Sequence, residues 1–508
     1  MSRDLFIRSL CLLGALVARK LAAQAEPAVT RAAATITAQD VMRRVGVLAA
    51  DSMQGRATPS PGLEQTAAYV VSEFKRAGLT PGAGDGHYVQ RFGVTRWTID
   101  TGSSAVELRG SGGRAVARLG TDARYILGRI PDQPLRGSVL LIAGVDSSAS
   151  LAGPDVRDKV ILLIADFSRP LPATFNQRII ELSEAKPRAV LVLSNRDSLT
   201  FAQRLAAAKS RLERDGNPGN ESGAPVIELH ERALGSLLTR MRIDPARLRR
   251  LRQPERRPVP FTAEVRLSKR VVERGQVPNV LGILEGSDSL LRKEYLVYSA
   301  HIDHIGISPG QTDSVNNGAD DNASGVAGLL ELAEAFRQPG MRPSRSIMFL
   351  APSGEEDGLL GSAHFTEHPP VPLDQVVANI NMDLIGRNWP DSVIAVGLEQ
   401  SNLGETLQAV VEAHPELRMT PIPDRWPEER IFYRSDHYNF ARKGVPILFF
   451  TSGTHPDYHQ PSDEPNRIDG EKQARLVKLL FYVGAQVAST MPRPRWTAAS
   501  YRQIVERK

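Results

Sequence analysis

Cysteine is almost missing from this chain: Cys11 is the only one in 508 residues. It lies in an apolar N-terminal leader, so a chain that has lost the leader has neither a disulfide nor a thiol nucleophile. A lipid anchor on Cys11 is disfavoured, because Arg8-Ser9-Leu10 lacks the small residues expected before a lipidated cysteine. Beyond the leader, no run is long and apolar enough to cross a bilayer. Two short hydrolase signatures are also missing. There is no G-x-S-x-G elbow, which argues against a serine hydrolase of that type. There is no H-E-x-x-H pair, since His230-Glu231 has no second histidine at the needed spacing. Aromatic residues make up 6% of the chain, and none is interleaved with the arginines of residues 240–257. That stretch therefore reads as a solvated linker and argues against a nucleic-acid partner. The formal charge of +6 is mild for this length.

What remains is ordinary globular composition, 41% hydrophobic and 24% charged, enough for two or three domains. Residues 1–25 read as a secretory signal. Arg3 and Arg8 supply positive charge, Leu10 to Val17 a short apolar run, and Ala23-Gln24-Ala25 a cleavage site. That places the mature chain outside the cytoplasm, periplasmic or secreted, with no membrane-spanning segment. Residues 26–36 read as a loose leader. Residues 37–109 begin the main domain, with one helix capped by Thr37 and Asp40 and a second over Leu63 to Ala77. Between them, Asp51-Ser52-Met53-Gln54-Gly55-Arg56 reads as a connector unless it reaches a site in space.

Residues 110–262 change texture. Buried strands at Val139–Ala143, Val160–Ile164 and Ala189–Leu193 and a helical stretch near Arg178–Lys186 suggest an inserted α/β module without chemistry of its own. From residue 268 to 495 strands and helices alternate regularly. Strands are expected at Tyr295–Ala300, Ile347–Ala351, Val376–Asn381 and Pro446–Phe450, and helices at Ala323–Phe336 and Lys472–Thr490. The fold class is α/β, a mostly parallel sheet flanked by helices, with ligands at the carboxyl ends of its strands.

Five potential metal ligands stand at such positions: His301, Asp321, Glu356, Asp383 and His459. Two imidazoles and three carboxylates form a mixed N/O set suited to zinc, and five are too many for one tetrahedral ion. Two zinc ions sharing one carboxylate satisfy the count. Asp321 is the candidate bridge, because two adjacent acids between glycines in Gly318-Ala319-Asp320-Asp321-Asn322-Ala323-Ser324-Gly325 exceed what a helix cap requires. Glu355 adjoins a ligand and is free to act as a base, the arrangement of metal-assisted hydrolysis. Asp303 is the candidate partner for the second ring nitrogen of His301, and Asp463 for that of His459. His304 reads as an outer or structural residue. Trp426 and Phe440 are candidate pocket aromatics.

Taken in order, His301-Ile302-Asp303, the Gly318–Gly325 stretch, Gly354-Glu355-Glu356, Asn381-Met382-Asp383 and Tyr458-His459-Gln460-Pro461-Ser462-Asp463 are similar to the M28 family of co-catalytic zinc peptidases, which includes bacterial secreted aminopeptidases. The likeness covers roughly residues 270–495. It implies His301 and Asp383 on one zinc, Glu356 and His459 on the other, Asp321 between them and Glu355 as general base. It also implies a cis peptide at Asp321-Asn322 and an intermediate-stabilising role for Tyr433. The inserted module resembles a protease-associated domain. The implied activity is removal of N-terminal residues from peptides. Carboxypeptidase and dipeptidase activities share the ligands, glutaminyl cyclases share the fold with one zinc, and a non-catalytic binder is the alternative of a different class.

Overall fold

A computed structural model of the chain describes residues 27–144, 150–172, 174–207, 210–216, 223–310, 312–426, 429–489 and 492–506. The expected leader, with Cys11, lies outside them. Two compact units form, one from residues up to Gly93 together with Gln276 onward, the other from Val94–Gly275. The second unit reaches beyond the expected 110–262 on both sides, because the strands Ala105–Gly110 and Glu255–Arg266 belong to its sheet.

The first unit is a mixed α/β domain. Its part of the sheet runs in the order β7 (Thr420–Ile422), β6 (Ser392–Val396), β8 (Ile447–Thr451), β5 (Val376–Met382), β3 (Tyr295–Ser299), β4 (Ser346–Ala351), β2 (Lys269–Leu284) and β1 (Val89–Ile99), and both β2 and β1 run on into the second unit. The neighbours β8–β5, β5–β3 and β3–β4 are parallel, while β2 pairs antiparallel with β4. Strands β4 and β5 are buried along their whole length. Continuous apolar runs such as Ile347-Met348-Phe349-Leu350 are what a sheet covered on both faces demands. The polar exceptions in β5 have partners: Asn379 donates to Ser299 Oγ at 2.9 Å, and Asn381 donates to Ser435 Oγ at 2.8 Å.

Helices α4 (Gly325–Phe336) and α5 (Gly470–Ser489) pack with α2 (Ala38–Leu48). Helix α2 starts where Thr37 accepts a hydrogen bond from the Asp40 N–H, as its sequence implies. Arg44 of α2 is buried and pairs with Glu331 of α4, with Glu334 at 2.6 Å and with Glu73 of α3 (Pro61–Arg76) at 3.4 Å. Deleting one member would strand a buried charge at a cost of about 3–5 kcal/mol. The loose leader expected at 26–36 is a correction: residues 27–34 form helix α1, with Ala28, Ala32 and Ala33 buried. These small side chains recur on one helical face and let it lie close to its neighbours.

The second unit holds an eight-stranded sheet. Its centre, Leu135–Ala143, Val160–Ile164, Ala189–Ser194 and Val226–His230, is parallel. Alternate residues of these strands feed two separate cores. Leu141, Leu162 and Leu191 lie in one, and Leu140, Ile161 and Val190 in the other. The arginine-rich stretch 240–257 is not a solvated linker. It includes the helix Pro245–Arg249 and enters the strand Glu255–Arg266, with Arg249 bonded to Glu231 and the Ala165 carbonyl and Arg256 to Asp155. No helix of the described residues is long and apolar enough to cross a membrane.

Candidate metal centre

The strand ends of the first unit deliver the site. Ala300 and Ile302 donate to the Leu350 and Pro352 carbonyls, so the β3–β4 ladder runs on past both strands. That register sets His301 beside the Glu355–Glu356 turn. Asp383 directly follows β5, and its N–H donates to the Phe450 carbonyl of β8 at 3.1 Å.

Asp321 sits just before α4, after Gly318 in the left-handed region, and the Asp321-Asn322 peptide is cis. Asn322 caps α4 by accepting from the Gly325 N–H at 2.9 Å, and Asp321 points into the site. Asp321 Oδ1 lies 3.5 Å from His301 Nε2, and Oδ2 lies 3.1 Å from His459 Nε2. On the first side, His301 Nε2 is also 3.3 Å from Asp383 Oδ1 and 4.0 Å from Glu355 Oε2. On the second, His459 Nε2 is 3.0 Å from Glu356 Oε2. Two clusters of potential ligands result, His301 with Glu355 and Asp383, and His304, Asp321, Glu356 and His459. The five expected ligands and the expected base are all brought together.

The donor set fits cations. His459 Nε2 is buried without a hydrogen bond, although two carboxylates lie about its lone pair at the distances above. Left without an ion, the cluster must hold protons in its place. Burial alone would lower the His459 imidazole, yet Asp321 and Glu356 push it up to about 10. Burial pushes the Glu355 carboxyl well above its ordinary range, and only the His301 charge opposes this against Asp383 and Glu356. A divalent cation on each side of Asp321 neutralises the same charge without protons.

Several supports differ from expectation. His301 Nδ1 lies 3.2 Å from the Asp303 main-chain oxygen, whereas the Asp303 carboxylate is 3.7 Å away. That carboxylate accepts instead from the backbone N–H of Glu355 at 3.2 Å and from Thr58 Oγ1 at 3.1 Å. Asp463 does not orient His459. Its carboxylate accepts from the N–H groups of Asp320 and Asp321, at 3.0 and 3.1 Å, and so fixes the backbone that carries Asp321. The connector Asp51–Arg56 does reach the site. Arg56 is fully buried and donates to the carbonyls of Ile302 (3.0 Å), Leu48 and Asn317 (both 2.7 Å), Gly318 (3.0 Å) and Asp321 (3.4 Å). Burial lowers its guanidinium to about 10, against the pull of Asp321 and Asp303. Asp436 is one more carboxyl in the cluster, pushed up to about 7 by burial.

A cleft of about 250 Å³ opens beside Asp321, Glu355 and Asp383, with walls that include Trp426, Ile431, Phe449 and Tyr458. Tyr433 is not among its lining residues. It is 42% exposed and packs against Phe432, Tyr438 and Arg430. Tyr458 takes the inner position, stacked on the His459 ring at 3.9 Å, with burial and the site carboxylates holding its hydroxyl well above the usual range. Its place next to a ligand histidine was the available signal. Trp426 lines the cleft as expected, whereas Phe440 is core, packed on Phe365.

Comparisons with known proteins agree with this geometry. Residues 279–483 match the model of peptidase family M28. The aminopeptidase YwaD of Bacillus subtilis (strain 168) is 24% identical over 314 residues, covering 59% of this chain and 57% of that protein. A probable leucine aminopeptidase of Arthroderma benhamiae is 25% identical over 219 residues, covering 42% of this chain and 58% of that protein. The chain thus spans a little over half the length of these relatives. A solved aminopeptidase from Aneurinibacillus sp. strain AM-1 shares the fold, with a TM-score of 0.52 at 17% identity over 92% of this chain and 99% of that one. The segment that holds the site, residues 279–483, is thus similar to peptidase family M28.

Proposed function

We propose that the chain is a two-zinc aminopeptidase that removes N-terminal residues from peptides, acting outside the cytoplasm. The observation that carries this is Asp321, whose two carboxylate oxygens each face a different ligand cluster while Glu355 stands beside one of them. His301 and Asp383 would hold one zinc, His459 and Glu356 the other, and Asp321 both. When bound, such ions acidify a water and polarise the substrate carbonyl.

The rest is work for the chain's own groups. Glu355, with no ion to hold, takes the proton of the attacking water and returns it to the leaving amine. Tyr458, rather than Tyr433, donates its hydroxyl to the carbonyl oxygen as negative charge develops there. Trp426, Ile431 and Phe449 offer an apolar wall to the side chain of the N-terminal residue. The inserted unit is read as a protease-associated module, on the strength of its central parallel strands and its position in the chain.

The test is zinc per chain on the purified protein, with hydrolysis of leucine-p-nitroanilide and its N-acetylated twin before and after chelation. Two zincs, chelator-sensitive cleavage of the free amine and none of the blocked one are expected. Equal cleavage of both substrates would overturn the aminopeptidase assignment. One zinc per fully active chain would overturn the paired site.

A further inference from the structure

His304 has no part in the ligand assignment above, yet it lies in the centre of the second cluster. Its ring is fully enclosed. The chain fixes it twice over: its N–H donates to the Arg56 carbonyl at 3.2 Å, and its ring lies flush on Gly318. A Cβ added to Gly318 would come within 2.6 Å of His304 Cδ2. Held there, His304 Nδ1 is 2.7 Å from Glu356 Oε1 and 3.8 Å from Asp321 Oδ2.

Those distances separate two roles. Ligands of one tetrahedral zinc, each about 2.0–2.2 Å from the ion, stand about 3.3–3.5 Å from one another. His301 keeps that spacing, 3.3 and 3.5 Å from Asp383 and Asp321, while His459 stands somewhat closer, 3.0 and 3.1 Å, with one nitrogen facing an oxygen of both Glu356 and Asp321. The His304–Glu356 separation of 2.7 Å is that of a charge-assisted hydrogen bond. It also falls on the other oxygen: Oε1 meets His304, while Oε2 meets His459. His304 Nε2 is buried without a partner. With the ring proton on Nδ1, that nitrogen keeps only a lone pair, and no N–H is orphaned.

We infer that His304 is a positioning residue. Its Nδ1–H donates to Glu356 Oε1 and turns Oε2 toward the space shared with His459 and Asp321. The inference rests on the two-zinc reading and predicts an asymmetry within it. Only the ion held by Glu356 and His459 depends on His304, because His301 and Asp383 make no contact with it.

The experiment is a zinc titration of the metal-free full chain against a chromophoric chelator, for the wild type, His304→Ala and His304→Asn. Melting of the metal-free proteins is followed alongside, to show that each variant folds. The asparagine amide can reproduce the Nδ1–H donor but is a poor zinc ligand. In His304→Ala one of two zinc equivalents should weaken by about 10–100-fold, the usual loss when a ligand's hydrogen-bond partner is removed, with the other unchanged. His304→Asn should recover most of that loss. Three results would overturn the inference: an Asn variant as weak as the Ala variant, which would make His304 a ligand; an Ala variant that binds both ions like the wild type; or equal weakening of both equivalents, which is what a merely structural residue gives. A wild type that binds fewer than two zincs would bring down the two-zinc reading itself, and the inference with it.

Discussion

Both units bury carboxylates, and they treat them in opposite ways. In the inserted unit Glu228, 1% exposed, is met by Arg124 at 2.9 Å, Arg196 at 3.1 Å and Arg204 at 3.7 Å. Burial pushes this carboxyl up, but the Arg124 and Ser194 bonds hold it below its ordinary range. In the other unit Asp321, Glu355, Glu356 and Asp383 converge with no lysine beside them. Of the guanidinium groups near them, Arg56 is given over to backbone carbonyls and Arg434, on the wall of the same cleft, to Glu429. A buried acid supplied with protein cations is architecture. A group of buried acids left without them is a place prepared for ions from outside.

Four substitutions press on that contrast. Glu355→Gln should lower kcat by about 10²–10⁴-fold while zinc per chain stays at the wild-type value. Because it removes one of several mutually repelling acids, the melting temperature of the metal-free protein should not fall. A loss of both activity and zinc would place Glu355 among the ligands. Tyr458→Phe should cost about 10²–10³-fold in kcat, the worth of one oxyanion donor, with KM little changed. Tyr433→Phe should leave kcat near wild type, and the reverse ranking would return the role to Tyr433.

Glu228→Ala has the smallest effect on turnover and a large one on stability. Peptide hydrolysis per folded molecule should be unchanged, while the inserted unit loses about 3–5 kcal/mol, because three guanidinium groups are left facing one another. Hydrogen exchange in Ala189–Ser194 and Val226–His230 would register it. The pH dependence has a definite sign. A carboxyl whose folded pKa lies below its unfolded value stabilises fully above the unfolded value and loses that contribution as pH falls through the folded one. Acid should therefore loosen the inserted unit of the wild type and have less effect on the variant.

Much of this was legible because the information was local. Ile347 to Ala351 and Val376 to Asn381 read as buried strands from their own composition, and the candidate ligands could be picked out because each follows such a run or its loop. What stayed hidden was carried by partners far away in sequence. Arg56 meets Ile302 across 246 residues, and its acceptors are backbone carbonyls, which no residue type announces. Asp463 was placed near the site but given the wrong partner, and Asp303 meets His301 Nδ1 more closely through its main-chain oxygen than through its carboxylate, since spacing does not say which N–H a carboxylate will face. His304 and Tyr458 sit beside recognised residues, and only side-chain direction separates them from bystanders such as Tyr433. Helix α1 was missed because short alanine-rich segments are as common in leaders as in packed helices.

Arg56 also bears on what counts as the smallest workable piece of this molecule. The matched segment 279–483 contains every proposed ligand and the proposed base, so a cloned fragment of that extent looks sufficient. Yet the loops that carry His301 and Asp321 are laced together by a side chain from before the insertion, and the same stretch provides Arg44 and its grip on α4. The cooperative unit is discontinuous, built from the described residues up to Gly93 and those from Gln276 onward. Truncation at the edge of the matched segment would cut through that unit.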